Sequence, residues 1–220
     1  MARLTFMRYV YRGDEEGERI PDEATHIFVD KDCTVILERA FFRHPNIEEL
    51  ICHDKVVKIE EFAFNNCPNL RRVIMPGVKI VDMMAFQMCP ALTDVECSML
   101  EIIREEAFLE CFSLKSIDLS SASIVGQCAF HHCRALVHVK FGNKLERIEE
   151  ETFFGCTSLE RITIPLKDGI ISAENIFTGC DNLKQVDLNK GALEETMSLY
   201  LEKWRDNVNE EIDSINETLL

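Results

Sequence analysis

A group of cysteines and histidines in the middle of the chain could bind a metal ion. Cys128, His131, His132 and Cys133 lie within six residues, and His138 follows. Thiolate and imidazole groups are good zinc ligands, but a zinc site needs them to converge at about 2.0–2.3 Å from the ion. Whether these side chains converge depends on the elements that carry them.

One short sequence motif surrounds this group and recurs along the chain. It reads approximately Ala-Phe-x-x-Cys-x-x-Leu-x-x-Val, and a fixed period of about 20–50 residues is typical of a solenoid. Each unit of a solenoid buries its apolar face only by stacking on its neighbours. The sequence therefore predicts a rod of seven stacked repeats with one shared core. The repeat phenylalanines follow one another at steps of 23, 22, 22, 22, 23 and 24 residues: Phe41, Phe64, Phe86, Phe108, Phe130, Phe153 and Phe177.

Each repeat contains two stretches with strand character. The segment Leu136-Val137-His138-Val139-Lys140-Phe141 alternates apolar and polar residues, which predicts a short strand with 139 and 141 inward and 138 and 140 outward. A second, shorter strand precedes each phenylalanine, as in Leu145-Glu146-Arg147-Ile148. We therefore expect a mainly β solenoid with irregular turn arms. In the seventh repeat Ser172 falls in the isoleucine position, so we expect a slip of register there.

The repeat resembles the BspA-type leucine-rich repeats, whose units read approximately I-x-x-x-A-F-x-x-C-x-x-L-x-x-I-x-I-P. The segment Ile148-Glu149-Glu150-Glu151-Thr152-Phe153-Phe154-Gly155-Cys156-Thr157-Ser158-Leu159-Glu160-Arg161-Ile162-Thr163-Ile164-Pro165 is close to a full match, and the similarity covers residues 34–188. We assign residues 34–190 to this solenoid. The resemblance implies a right-handed stack of strands and irregular arms, a role in protein–protein or surface recognition, and no catalytic residue. Members of the family also occur on cell surfaces.

Eight of the ten cysteines follow the repeat. Six of them stand three residues after a repeat phenylalanine, and Cys52 and Cys97 share a position otherwise filled by Met, Leu, Phe and Ile. A residue that interchanges with these types acts as a small buried hydrophobe, so we expect reduced, buried thiols. In this alignment Cys133 points inward while His131 and His132 fall on an outer turn, and we therefore expect no metal and no cofactor. The alternative is a thiol-based redox or metal-binding protein that uses the stacked cysteines.

The first 33 residues do not carry the repeat. The segments Phe6–Tyr11 and Thr25–Val29 alternate like strands, which predicts a β-hairpin cap over residues 1–33 that shields the edge of the first repeat. A hairpin that docks a peptide is the alternative.

Residues 191–220 have the pattern of an amphipathic α-helix. Apolar residues recur with a mean spacing of 3.6 residues from Leu201 through Trp204, Val208, Ile212 and Ile215 to Leu219. The helix would either cap the last repeat or dock in a groove of a partner. We expect a monomer, and a dimer through this helix is the alternative.

Charge and hydropathy limit the partners and the location. The net charge is −15 at pH 7, which argues against nucleic acid and against anionic membranes, because both need basic surfaces. The apolar run among the first residues is too short for a signal peptide. No apolar stretch approaches the length of a membrane span. We therefore expect a cytoplasmic protein.

The outward positions of the longer strands form the candidate binding surface. The sequence has no Ser/His/Asp arrangement, glycine-rich phosphate loop or paired carboxylates, so we expect no enzyme. We expect instead a non-catalytic scaffold that binds a protein partner, the alternative being an ordinary solvated sheet face. The candidates form an apolar spot, an acidic centre and a more basic stretch: Glu49, Ile51, Arg72, Ile74, Asp94, Glu96, Asp118, His138, Lys140 and Arg161.

Overall fold

The protein is a stack of short parallel strands joined by turns. The computed structural model describes residues 6–13, 19–167, 169–171, 173–189 and 196–200, and these contain strands, turns and one short 3-10 helix, Glu174–Phe177. The strands are β1 (Arg8–Tyr11), β2 (His26–Val29), β3 (Val35–Ile36), β4 (Glu49–Ile51), β5 (Lys58–Ile59), β6 (Arg72–Ile74), β7 (Ile80–Val81), β8 (Asp94–Glu96), β9 (Ile102–Ile103), β10 (Ser116–Ile117), β11 (Ile124–Val125), β12 (His138–Lys140), β13 (Arg147–Ile148), β14 (Arg161–Pro165), β15 (Gln185–Asn189) and β16 (Thr196–Tyr200).

The strands line two sides of the stack. On one side, the strands that follow the phenylalanines form a sheet in the order β1-β2-β4-β6-β8-β10 and another in the order β12-β14-β15-β16. We call the outward surface of these two sheets the strand face. On the other side, the two-residue strands that precede the phenylalanines form one sheet in the order β13-β11-β9-β7-β5-β3. We call this sheet, which lies opposite the strand face, the second sheet. With the exception of β10 and β12, the strands of neighbouring repeats therefore pair in parallel on both sides of one core.

A column of stacked aromatic rings confirms the predicted spine. The seven repeat phenylalanines stack in order, with ring centroids 4.6–5.9 Å apart and interplanar angles of 2–12°. Those from Phe64 to Phe153 are fully buried. Burying each such ring stabilises the fold by roughly 2–3 kcal/mol relative to exposure.

The repeat cysteines link each repeat to the one before it. The thiols of Cys67, Cys89, Cys111, Cys133, Cys156 and Cys180 donate to the backbone carbonyl of the phenylalanine in the preceding repeat, at 3.0–3.2 Å. All six are buried, as predicted. In the first repeat His44 replaces cysteine, and its Nε2 lies 3.0 Å from the carbonyl oxygen of Pro21. The cysteine position therefore demands a side chain that packs in the core and carries one donor.

Residues with a left-handed backbone conformation shape the arms around each phenylalanine. Eleven described non-glycine residues, including Met84, Met88 and Glu110, have φ between 52° and 59°, and they stand two residues before or after a repeat phenylalanine. Gly155 takes the same position in its repeat, with φ of 69°. The phenylalanine amides then bond to the next repeat, as in Phe86 N–H to the Ala107 carbonyl at 2.8 Å. The arms are thus hydrogen-bonded from repeat to repeat.

The first two strands are not a hairpin, so that prediction is wrong. β1 and β2 pair in parallel, with Arg8 opposite His26, and β1 is the edge of its sheet. A hairpin requires antiparallel neighbours, whereas parallel strands need a crossover, which the chain between β1 and β2 supplies. Tyr11 packs against Phe41 at 5.1 Å between ring centroids, and its hydroxyl accepts the Leu37 N–H at 3.1 Å. The segment thus extends the core by one aromatic layer.

The predicted C-terminal helix fails where the structure describes it. Residues 196–200 form β16, which pairs antiparallel with β15, Gln185 lying opposite Tyr200. Pairing with the last repeat supplies backbone partners to the otherwise open edge of β15, which outweighs helix propensity there. The apolar positions Leu201 to Leu219 lie outside the described residues. The predicted slip in the seventh repeat is confirmed, because Ile171 pairs with Ile148, one residue earlier than the usual position.

Candidate protein-interaction surface

The ten candidate residues lie where the alternation placed them. Nine belong to β4, β6, β8, β12 and β14, and Asp118 directly follows β10. Register pairing joins Glu49 to Arg72 and Arg72 to Asp94, and it joins Ile51 to Ile74 and Ile74 to Glu96. The strand face therefore carries two columns of outward side chains. Whether they bind a partner stays a prediction.

An apolar stripe crosses the first four strands of the strand face. Val10 pairs with Phe28, Phe28 with Ile51, and Ile51 with Ile74, so the four side chains stand in one outward column. Val10 is 44% exposed, and the other three are partly exposed. Sequence reasoning found only the two isoleucines of this stripe. The alternation in residues 6–11 and 25–29 was a usable signal, but it does not reveal that β1 and β2 share the register of the repeats.

Ion pairs hold part of the strand face in place. Arg72 pairs with Glu49 at 3.2 Å and with Glu96 at 2.5 Å, spanning three neighbouring strands. The hydrogen bond that Arg72 donates to the Glu96 carboxylate raises the pKa of the Arg72 guanidinium, which stays charged. Arg161 is similarly engaged by Asp187 at 3.3 Å. The basic stretch predicted at the C-terminal end is thus partly neutralised by its own neighbours.

Two acidic and two basic candidates make no ion pair with other described residues. Asp94 accepts a hydrogen bond from the Thr93 hydroxyl at 2.7 Å, and Asp118 accepts one from the Ser120 N–H at 2.9 Å. Among the described residues, neither carboxylate lies within 4.0 Å of a cationic nitrogen, and His138 and Lys140 likewise have no carboxylate partner there. Uncompensated charges of both signs therefore stand near the centre of the strand face.

The strand face is split in its centre. β10 and β12 do not pair as a ladder. Among the described residues, the bridge between Leu119 and Phe141 and a backbone hydrogen bond from the Val137 N–H to the Lys115 carbonyl at 3.3 Å connect the two sheets here. Phe141 is the largest residue in a position held elsewhere by Cys, Met, Leu and Ile, and its ring packs edge-on against Phe153 at 6.3 Å. We attribute the split to this bulky ring beneath β12.

An open depression of about 600 Å³ lies beside the split. Val95 and Ile117 are 8% and 7% exposed here, whereas the equivalent Val73 and Val139 are 0% and 1% exposed. The core is thus slightly more accessible to solvent at this place than elsewhere, and the carboxylates of Glu96 and Asp118 lie beside it. The residues that line the depression come from β6, β8 and β10 and the turns after them: Ile74, Pro76, Val95, Glu96, Cys97, Ser98, Ser116, Ile117 and Asp118.

The cysteine and histidine group does not converge on a common point. The Cys133 thiol donates to the Phe108 carbonyl inside the core, while Cys128 Sγ lies 3.8 Å from Glu151 Oε2. His131 stacks on Phe154 with centroids 4.8 Å apart, and burial lowers the pKa of its imidazole, with His132 adding to the effect. In the part of the chain that the structure describes, no three His, Cys, Asp or Glu residues are placed to hold a metal ion. The repeat, rather than metal binding, explains this cluster.

Burial keeps several of the thiols protonated. It raises the pKa of Cys97 to about 12, with Asp118 adding to the effect, and it raises the pKa of Cys111 to about 12. Burial and then Glu151 raise the pKa of the less buried Cys128 to about 11. Because the thiolate is the nucleophile and the metal ligand, such thiols are poorly reactive at neutral pH. The alternative of a thiol-based redox or metal-binding protein finds no support in these surroundings.

Comparison with solved structures finds other leucine-rich repeat proteins. A leucine-rich repeat protein from Bacteroides ovatus is 26% identical, with a TM-score of 0.60 over 85% of this chain and 44% of that one. The T. pallidum leucine-rich repeat protein TpLRR is 21% identical, with a TM-score of 0.46 over 82% of this chain and 69% of that one. The chain thus spans less than half of the Bacteroides ovatus protein. No curated protein sequence matches it. Within the described residues, no helix has the length and hydropathy that crossing a membrane requires.

The family model for the BspA type leucine rich repeat region matches in six copies, over residues 22–124 and 101–202. These two ranges overlap and together cover most of the chain. The matched range contains all seven phenylalanines of the stacked spine and the cysteines that bond to them. The chain therefore belongs to the BspA-type leucine-rich repeat family.

Proposed function

We propose that this protein is a non-catalytic scaffold that binds a partner protein across its strand face. The observation that carries the proposal is the apolar stripe of Val10, Phe28, Ile51 and Ile74, which leads into the depression on the same outward surface. Contiguous exposed apolar area on a soluble surface is usually an interaction site. Leucine-rich repeat proteins are commonly interaction scaffolds, and solenoids bind across extended surfaces of this kind.

The dimensions of the surface suit an extended segment of a partner. Neighbouring strands lie about 4.8 Å apart, so the four residues of the apolar stripe span roughly 15 Å. Arg72 on β6 reaches Glu49 on β4 and Glu96 on β8, and backbone pairing joins the same strands, so this part of the surface is formed before a partner arrives. A preformed surface loses less conformational entropy on binding.

A pull-down with a strand-face variant tests the proposal. Wild type, Ile51→Asp/Ile74→Asp and the control Val57→Asp/Met99→Asp are used as baits in lysate of the source cell, with mass spectrometry as the readout. Val57 and Met99 are 42% and 44% exposed and lie outside the strand face, so the control places the same two charges elsewhere. We expect wild type and control to retain a protein that the strand-face variant loses, with similar thermal unfolding of all three.

The captured protein is then purified and titrated against the three baits. Equal affinity for wild type and the strand-face variant would contradict the proposed surface, and so would the absence of any specific capture.

Location and assembly remain separate predictions. The cytoplasmic location is tested by fractionation of the source cell with an antibody against the protein. The monomer is tested by light scattering, where a mass near 25.3 kDa supports it and twice that mass contradicts it.

A further inference from the structure

We propose that the depression on the strand face receives a basic residue and a nearby aliphatic residue from an extended segment of the partner protein. This inference rests on the proposed function, since it specifies the chemistry of the partner at the same surface. It is carried by two features that coincide at one place: a slightly accessible part of the apolar core, and a carboxylate, Asp118, that has no cationic partner among the described residues.

The floor of the depression is apolar. Val95 and Ile117 are the inward residues of β8 and β10, yet both reach solvent here, and Ile74 continues the apolar stripe into the same space. The volume of about 600 Å³ falls within the range of about 300–1,000 Å³ that ligand sites in proteins occupy. An aliphatic side chain from a partner would remove this apolar area from water.

The rim of the depression is acidic. Glu96 and Asp118 line the depression on two consecutive repeats, and Asp94 lies on β8 beside it. Of these three carboxylates only Glu96 has a cationic partner among the described residues, Arg72. The residue that occupies the position of Asp118 in the next repeat is Lys140, and the two would be neighbours in an unbroken ladder. No ion pair joins them across the split. The split therefore leaves the charge of Asp118 open to a partner.

A lysine or arginine satisfies both features at once. Its aliphatic stem can lie over Val95 and Ile117 while its cation reaches Asp94 or Asp118. In an extended segment, side chains two residues apart lie on the same face at about 7 Å, so an aliphatic residue at that spacing can contact Ile74. The net charge of −15 would also speed the approach of a basic segment.

Synthetic peptides provide the probe. Three fluorescein-labelled nonapeptides are titrated into the purified full chain and followed by anisotropy at about 50 mM and about 300 mM NaCl. The first alternates valine and lysine with serine spacers, the second replaces each valine by serine, and the third replaces each lysine by glutamate. We expect the valine–lysine peptide to bind at least tenfold more tightly than either of the other two, at both salt concentrations.

Paired neutralisations locate the site. Asp94→Asn/Asp118→Asn should weaken the valine–lysine peptide about tenfold, because charge complementarity at the rim is lost. Glu146→Gln/Glu150→Gln removes the same number of charges from two exposed positions away from the strand face and should leave affinity unchanged.

Three results would overturn the inference. They are equal binding of the lysine–serine peptide, equal weakening by both double variants, and no binding of the valine–lysine peptide up to millimolar concentration. If one of these occurs while Ile51→Asp/Ile74→Asp still abolishes partner capture, the scaffold stands and only the proposed partner chemistry is wrong. If the peptide binds as expected but the strand-face variant retains its partner, the inference stands and the proposed function is wrong.

Discussion

The fourth and fifth repeats meet differently on the two sides of the molecule. On the second sheet β11 pairs with both β9 and β13, so the ladder runs without interruption from β3 to β13. On the strand face the same two repeats contribute β10 and β12, which do not pair. Between the two sides Phe108 and Phe130 stack at 5.3 Å with an interplanar angle of 2°. The core is therefore continuous at the place where strand pairing on one surface is interrupted.

This difference distinguishes the interactions that stabilise the stack from the surface features that can vary without disrupting it. The spine, the thiol bonds and the paired arms keep consecutive repeats in register without help from β10 and β12. One surface can then depart from regular pairing and expose part of the core at limited cost in stability. Functional surfaces often occupy such departures because a fully regular sheet has little to distinguish one place from another.

Removing a ring of the spine should damage both sides together. Phe108→Ala deletes a fully buried side chain at the centre of the stack, so we expect unfolding free energy to fall by about 3–5 kcal/mol. Urea denaturation measures the change. The control Phe42→Ala removes the same ring from a site that is 38% exposed and should cost less than about 1 kcal/mol. Similar losses for the two variants would mean that the spine does not dominate stability.

The shared core should also make the protein sensitive to alkali. The pKa of Cys111 is raised from 9.0 to about 12, so in this range the unfolded chain binds fewer protons than the native protein. Its contribution to stability is complete below pH 9 and falls by about 1.4 kcal/mol per pH unit as the pH rises towards 12. Cys111→Ala should destabilise the protein at pH 7, and the difference from wild type should shrink above pH 9. A constant difference from pH 7 to 11 would contradict this account.

Replacing Phe141 by a smaller residue should make strand pairing on the strand face as continuous as it is in the second sheet. In wild type we expect amides in segments 115–118 and 137–140 to exchange with deuterium faster than those in segments 124–125 and 147–148, because the former flank the split. Phe141→Leu restores the residue type found at the same position in the fourth repeat and should slow exchange in the first pair only. Its cost in unfolding free energy should be about 1 kcal/mol. Unchanged exchange would show that another feature causes the split.

The smallest effect concerns the arms, which are equally regular on both flanks of the split. Met88 has φ of 57° and a side chain that is 43% exposed. Met88→Gly relieves about 1–2 kcal/mol of left-handed strain but loses about 0.5–1 kcal/mol to the greater entropy of the unfolded chain, so a gain of at most about 1.5 kcal/mol is expected. Met99 is equally exposed and lacks a positive φ, so Met99→Gly should be destabilising. Thermal denaturation of the pair gives the sign directly.

The regular part of the fold was predictable from sequence because the pattern repeats. Seven copies define which side chains point inward, and they reveal the burial of Cys133 and the slip at Ile171 without any structure. The ends were not predictable, because each occurs once. The helical spacing from Leu201 to Leu219 predicts a helix that includes residues 196–200, yet the edge of β15 determines the conformation of these five residues. The parallel pairing of β1 depends on a register that no local pattern contains.

The candidate site was predictable only in part. Alternation identified the outward residues, including Ile51, Ile74 and Asp118, because it depends on position within one strand. The depression could not be predicted, because it depends on how the side chains of β6, β8 and β10 and of the turns after them pack together. The one sequence signal of the neighbouring split, Phe141 in a position of smaller residues, reads as a conservative change.

The thiol bonds suggest how a chain of this kind can lengthen. Each repeat cysteine donates to a phenylalanine carbonyl in the repeat before it, so every unit brings the donor that its predecessor lacks and offers the acceptor that its successor needs. A tandem duplication of one whole unit would therefore arrive with its junctions already satisfied at both ends. Recognition area could grow in steps of one repeat by gene duplication alone, leaving later substitutions free to act on the outward side chains.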